Sequence, residues 1–233
     1  MSDDQHAGRK RRQIYGRRKG PALSAHQTML RETLLPKLLL RPEAGCDPKA
    51  YFDSVDDVWL EVGYGAGEHL LWQAKANRRT GLIGAEPYIS GTAKLLSKLE
   101  HETLANIRLY EDDARDIIDA LPNATIGRFF LLFPDPWPKT RHHKRRFLQM
   151  AMLDHLARIL KPGAELRFAS DDAGYLAYAL ERLMAHPAFA WTAAGPSDWK
   201  TRTADWPQTR YEAKELHGPP CFLRFVRADT MPV

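Results

Sequence analysis

Five short apolar runs, each closing on or just before an acid, alternate with segments of helical periodicity, and this alternation constrains the chain more than any other feature. The runs cover residues 58–62, 81–85, 107–110, 129–133 and 165–169, and the acids at or beyond their ends are Glu61, Glu86, Asp113, Asp135 and Asp171. Apolar runs this short, bounded by turn residues, predict buried strands. Between them the apolar spacing predicts helices over about 68–74, 89–104, 114–121 and 144–160, with another to about 185. The 144–160 helix is expected to bury Phe147, Met150, Leu153, Leu156 and Leu160, and Pro162-Gly163 to end it. Strand–helix alternation implies an α/β domain built on a parallel sheet with right-handed crossovers. Two further strands are expected at 189–192 and 221–226. In open α/β sheets ligands bind beyond the carboxyl ends of the strands, where these five acids fall.

The flanks read differently. Residues 1–22 lack apolar periodicity and predict a basic arm that stays disordered without a partner. Residues 23–53 read as a helix over 25–40 followed by a linker. Ser24 caps the helix, Pro36 kinks or breaks it, and Met29, Leu30, Thr33, Leu34 and Leu38 share its apolar face. The main domain is expected to span 54–233.

Gly63-Tyr64-Gly65-Ala66-Gly67 follows a predicted strand and opens a predicted helix, the context in which a glycine loop binds a ligand. A dinucleotide site wants its third glycine one residue later, where Glu68 stands, and Glu61 would repel a pyrophosphate. An acid suits a ligand bearing a cationic amine. S-adenosylmethionine carries one, with a sulfonium, a ribose diol and an adenine amino group. Glu86 is placed to accept the ribose hydroxyls, and Asp113 to accept from the adenine edge. His69 falls on a helix and needs no special role. No cysteine or histidine spacing suggests a metal site.

The fourth run leads into Pro134-Asp135-Pro136-Trp137-Pro138-Lys139 and then Arg141-His142-His143-Lys144-Arg145-Arg146. The prolines around Asp135 stop the strand and stiffen the turn. Charge is segregated: of 34 basic residues, seven lie between Arg9 and Lys19 and five between Lys139 and Arg146, so the remaining chain holds 22 against 29 acids. Two cationic blocks on an acidic body are the footprint of a phosphate-backbone binder. The histidine pair reads as part of that surface.

The quoted segments resemble the bacterial tRNA (guanine-N7)-methyltransferases. They are Glu61–Gly67, Gly84-Ala85-Glu86, Asp113-Ala114, the Pro-Asp-Pro-Trp turn with its basic run, Ser170-Asp171 and Thr209-Arg210-Tyr211-Glu212. The resemblance covers residue 58 to the C-terminus. It implies a Rossmann-like class I methyltransferase fold: a seven-stranded, mostly parallel sheet with the last strand antiparallel and helices on both faces. It further implies S-adenosylmethionine bound by Glu61, Gly63, Gly65, Gly67, Glu86, Asp113, Ala114 and Asp135, with Asp135 catalytic. Lys139, Asp171, Thr209, Arg210, Tyr211 and Glu212 match substrate-binding positions. Arg141, His142, His143, Lys144, Arg145 and Arg146 match an RNA-contacting segment. The target would be a variable-loop guanosine of tRNA. Ala85 and Asp172 depart from the family pattern, which favours a β-branched residue and an aromatic there.

Guanine N7 has an in-plane lone pair and no proton, so its methylation needs no general base, and Asp135 would orient and stabilise charge. The target base would leave its stack. An exocyclic-amine DNA methyltransferase and a non-catalytic RNA-binding module are the rival readings. The first is disfavoured by the proline order around Asp135, the second by the five strand-end acids. No apolar run approaches the ~20 residues of a bilayer span. With no secretory leader after Met1 and with two distant cysteines, Cys46 and Cys221, a cytoplasmic protein is expected, monomeric or homodimeric.

Overall fold

A computed structural model describes residues 13–16, 18–214 and 217–229. The described part opens with α1 (Ala25–Thr33), α2 (Leu35–Leu38), β1 (Asp57–Val62), α3 (Glu68–Ala76), β2 (Thr80–Ala85), α4 (Ile89–Leu99) and β3 (Ile107–Tyr110). It continues with α5 (Ala114–Ala120), β4 (Ile126–Leu132), α6 (Met150–Ile159), β5 (Leu160–Ser170), α7 (Ala173–Ala185), β6 (Phe189–Trp191), α8 (Ser197–Lys200) and β7 (Cys221–Arg227). The strands form one seven-stranded sheet in the order β3-β2-β1-β4-β5-β7-β6. Every pairing from β3 through β5 is parallel, and β7 runs antiparallel to both β5 and β6. This is the expected mostly parallel sheet, with its last strand in chain order reversed and inserted beside β5.

Chain direction across the sheet reverses between β1 and β4. From β1 the chain builds outward through β2 to β3, and from β4 it builds the other way. A crevice opens where such a reversal occurs, because the flanking crossovers leave on opposite faces. Neighbouring residues of β2 show the two faces. Leu82 packs with Leu70, Leu95 and Leu96 of α3 and α4, while Ile83 packs in the core that holds Ile117, Leu153 and Leu156 of α5 and α6. A third cluster, Phe130, Leu132, Ala169, Phe222 and Trp206, lies under the segment after α8, whose Trp206 is almost wholly buried.

Several expected boundaries shift. The helix expected over 25–40 divides at Leu34, with Pro36 in the first turn of α2, and it buries Leu30, Leu35 and Leu38 while Met29 is exposed. Ser24 caps α1 through a mutual exchange with Gln27, as its hydroxyl predicts. Ahead of α6, residues Thr140–Arg145 form a 3-10 turn, so Phe147 precedes the helix, and Met150 is exposed. Leu160 already belongs to β5, so the helix ends before Pro162-Gly163. The linker holds a 3-10 turn, Pro48–Tyr51, and Phe52 enters the core. Asp172 takes the N-cap of α7, its Oδ1 accepting the Tyr175 N–H at 2.7 Å, which gives a reason for an acid at that position. Within the expected disordered arm, residues 1–12 and 17 lie outside the described residues. The remainder through Gly20 is held: Ile89 donates its N–H to the Arg18 carbonyl at 3.0 Å, and the Arg18 guanidinium pairs with Asp112. Among the described residues no helix is long and apolar enough to cross a membrane.

Candidate active site

A cleft of about 1030 Å³ opens at the β1/β4 reversal. One wall is the turn after β1. Gly63, Gly65 and Gly67 all adopt positive φ, at 76°, 55° and 71°, which side chains resist and glycine accepts. A side chain at Gly63 or Gly65 would meet nothing within 4 Å, so this stretch of backbone is open for a ligand to approach. Gly67 differs. A Cβ there would lie 2.5 Å from Leu95, and the residue does not line the cleft. Its absent side chain lets α3 pack on α4, so Gly67 has a packing reason to be glycine beside the cofactor contact expected of it.

Glu61 is the last residue but one of β1, between Gly84 and Phe130, and its side chain is almost wholly buried with Oε2 2.7 Å from His69 Nδ1. His69 is thus no idle helix residue. Glu86, beyond β2, accepts the Gly65 N–H on Oε2 at 2.8 Å and the Tyr88 N–H on Oε1 at 3.0 Å. Burial raises its carboxyl pKa, those two N–H groups pull it back, and the charges of Asp135 and Glu61 add to the rise. A cation entering the cleft would relieve that penalty. Asp113 caps α5, and both its oxygens are engaged by Arg115, which also donates to the Gln13 carbonyl at 3.1 Å. An adenine amino group would therefore have to share Asp113 with Arg115. Ala114 lines the cleft beside it.

The opposite wall is the turn after β4. Phe133 and Trp137 both adopt positive φ, 50° and 45°, and bracket an exposed Asp135. The prolines fix part of this turn, and the two aromatics take the conformations that complete it. Tyr211 tilts against Phe133, ring centres 5.6 Å apart. Burial and then the charges of Asp171 and Asp135 raise its phenol pKa. The N-terminal segment crosses this rim: Tyr15 meets Trp137 edge-on at 6.4 Å, and a Cβ at Gly16 would lie 4.0 Å from Asp135.

The expected substrate residues divide. Thr209, Arg210 and Tyr211 line the cleft. Glu212 does not: it is buried, paired with Arg202, and exchanges hydrogen bonds with Thr209, so it shapes the turn that presents them. Asp171 is also buried, with Oδ2 accepting the His217 N–H at 3.2 Å. Lys139 stands exposed beyond Trp137.

The basic run divides as well. Arg141 and Lys144 are exposed. Arg145 lies over the Tyr15 and Trp137 rings, at 4.7 and 4.8 Å. Arg146 is only 3% exposed. It donates to the carbonyls of Pro136 and Gly174 and rests on Tyr175 and Tyr178. A guanidinium so engaged ties the turn to α7, and it does so at the margin of the cleft, which Arg146 helps to line. Desolvation of the His142 ring itself, and then the charges of Arg145, Arg141, Lys139 and Lys144, lower the His142 pKa. His142 meets Trp137 edge-on and His143 meets Tyr178. Among the described residues no group of three His, Cys, Asp or Glu side chains is placed to hold a metal ion.

Comparison with known proteins bears on the family and the fold. Residues 56–218 match a family described as "Putative methyltransferase". Among solved structures, the 16S rRNA methyltransferase KamB superposes with a TM-score of 0.56 at 16% identity, over 81% of this chain and all of that one. The 16S rRNA (adenine(1408)-N(1))-methyltransferase from Catenulisporales acidiphilia gives 0.54 at 15% identity, over 81% of this chain and 96% of that one. These likenesses show the class I methyltransferase fold. Closer in sequence is a tRNA (guanine-N(7)-)-methyltransferase of Rhodospirillum rubrum, 50% identical over 92% of this chain and 87% of that protein. One from Brucella anthropi is 45% identical over 97% of this chain and its own whole length. With identity this high over nearly the full length of both proteins, the chain belongs to the tRNA (guanine-N(7)-)-methyltransferase family.

Proposed function

We propose that the cleft binds S-adenosylmethionine against the β1 loop and a flipped-out guanine of tRNA against the β4 turn, for methyl transfer to guanine N7. The reaction is that of the family. The residue roles rest on one observation: the β1/β4 crevice brings Glu61 and Glu86 to one side and Asp135, Tyr211 and the exposed cation Lys144 to the other, with Arg141 exposed nearby in the chain. The donor set fits the methyl donor. Glu86 sits under a burial penalty that a cation relieves, and an unobstructed glycine backbone lies beside it. When bound, S-adenosylmethionine supplies an electrophilic methyl group on sulfonium.

The remaining tasks belong to the chain. Glu61 takes the amino group of the methionine end. Glu86, its two oxygens already oriented by backbone N–H groups, accepts from the ribose hydroxyls. The Ala114 backbone lies along the adenine. No residue has to remove a proton from N7, and the purine becomes cationic as the methyl arrives. Asp135, held by two positive-φ neighbours, supplies a fixed negative charge where that cation forms. Tyr211, backed by Phe133, offers an exposed ring on which a base can stack. Thr209 and Lys139 hold ribose or phosphate. Arg141 and Lys144 contact the RNA backbone, and His142 lies between them. The enzyme works in the cytoplasm, consistent with its two free cysteines, Cys46 and Cys221.

Incubation with unmodified tRNA or duplex DNA and a labelled methyl donor, followed by mass spectrometry of the nucleosides, tests the reading. Label in 7-methylguanosine from tRNA alone is expected. Label on an exocyclic amine, or in DNA, would overturn it.

A further inference from the structure

His69 and Gln73 lie one turn apart on α3, both almost wholly buried, in a position the methyl-transfer chemistry leaves unused. Their hydrogen bonds fix every proton. Asn77 Nδ2 lies 3.0 Å from the Gln73 carbonyl, which only accepts, so that atom is the amide nitrogen. The same nitrogen lies 3.0 Å from Gln73 Oε1. Gln73 therefore turns its Nε2 toward the Asp205 carbonyl, at 2.8 Å, and toward His69 Nε2, at 3.1 Å. One hydrogen of Nε2 serves each. His69 Nε2 must then carry a lone pair, and the ring proton sits on Nδ1, 2.7 Å from Glu61 Oε2. The imidazole lies at steep angles to Phe130, ring centres 4.6 Å apart, and to Trp206, at 6.3 Å, and its two nitrogen contacts set which way round the ring sits.

We infer that His69 is a positioning residue, which locks the Glu61 carboxylate with a neutral donor and links it through Gln73 to the substrate loop at Asp205. The inference rests on the assignment of Glu61 to the methyl-donor site. Its chemistry follows from neutrality. A cationic partner would cancel the Glu61 charge, whereas a neutral N–H satisfies Oε2, leaves the charge intact and directs Oε1 to the cleft. The link to the loop has a second strand: Glu68, at the start of α3, accepts the Arg210 N–H at 2.7 Å. Asp205 is itself anchored by Arg167 and Arg128 of the sheet. One helix thus ties the donor-binding acid to the residues Thr209–Tyr211 that face the guanine.

The full-length protein and its variants Glu61→Gln, His69→Leu, His69→Asn and Gln73→Met test this. Binding of S-adenosylhomocysteine is measured by calorimetry, KM and kcat by methyl transfer, and the ring protonation by nitrogen NMR. In the wild type, Nδ1 should show the protonated and Nε2 the unprotonated resonance, and Gln73→Met should disturb that pattern. His69→Leu should weaken binding and raise the donor KM by about tenfold or more, with a much smaller change in kcat at saturating donor, as expected for a lost hydrogen bond to a charged group. His69→Asn, whose amide nitrogen stands where Nδ1 stood, should recover binding to within about threefold of wild type. A protonated Nε2, or an Asn variant as weak as Leu, would overturn the inference. So would unchanged binding in His69→Leu when Glu61→Gln has lost it. Unchanged binding in Glu61→Gln itself would remove the assignment of Glu61 and the inference together.

Discussion

The two walls of the cleft hold charge in opposite ways. On the β1 side the acids are buried and prearranged: Glu86 by two backbone N–H groups, Glu61 by a histidine, Asp113 by an arginine. On the β4 side the charge is a run of cations of which only part is free to meet RNA. Arg141 and Lys144 reach solvent, Arg145 stacks on aromatics, and Arg146 is spent inside the protein. A small cationic ligand is recognised by fixed acceptors, because each misplaced carboxylate in a buried site loses its whole contribution. A polyanion needs only cations in reach, and its affinity scales with how many phosphates they neutralise.

The contrast breaks first at Asp135. Asp135→Asn keeps the shape of the turn and removes its charge, and turnover should fall by about 100-fold while the donor still binds. Near-normal turnover in a single-turnover assay would mean that the turn only shapes the cleft. Arg146→Met comes next and separates position in a charge run from role. It should cost about 2–4 kcal/mol of stability, through two carbonyls left unpaired and two rings uncovered, with an unchanged salt slope for tRNA binding in the fraction that folds. Denaturant melts and binding at several salt concentrations read both quantities.

Glu86→Gln sharpens the β1 side. Donor affinity should drop about tenfold, ~1.4 kcal/mol, at neutral pH. The sign with pH follows from the raised carboxyl. In the free protein the group favours folding most below the ordinary carboxylate pKa, and that contribution is lost as pH rises through the raised value. Donor affinity runs the other way, climbing as the carboxylate forms and then levelling, and the Gln variant should lack this limb in a calorimetric pH series. Smallest is Arg141→Ala with Lys144→Ala. Loss of two exposed contacts should reduce the logarithmic salt slope of tRNA binding by roughly 1.4–1.8, with donor affinity unchanged.

The sheet was legible because short apolar runs ending in acids leave few alternatives, and the acids mark its carboxyl edge. The segment after β4 was not legible in the same way. Its charge run reads as a phosphate-binding block leading into a helix, but a 3-10 turn forms and Arg146 is drawn in over Tyr175 and Tyr178, rings supplied by α7 some thirty residues later. Nothing local announces a partner that distant. Glu212 and Asp171 likewise match a motif that resembles a binding pattern, while their carboxylates face Arg202 and His217. His69 did leave a trace. A His and a Gln four apart on a helix face shared with Leu70 and Ala74 need polar partners inside, and the only acid ending the preceding strand is Glu61. Gly67 shows the reverse: a glycine inside a ligand-binding pattern can be there for the helix that packs behind it.

The positive φ angles of Phe133 and Trp137 bear on engineering the enzyme for heat resistance. Left-handed conformations cost a non-glycine residue about 1–2 kcal/mol each. Glycine at either position would relax the backbone, so a search ranked by melting temperature is drawn to these two sites. Each such gain would remove an aromatic ring that Tyr211, Tyr15 or Arg145 rests upon. It would also loosen the carboxylate between them. Tolerance to heat and catalytic competence should therefore trade against each other at Phe133 and Trp137 more steeply than at exposed positions such as Met29 or Met184, where nothing comparable is held in place.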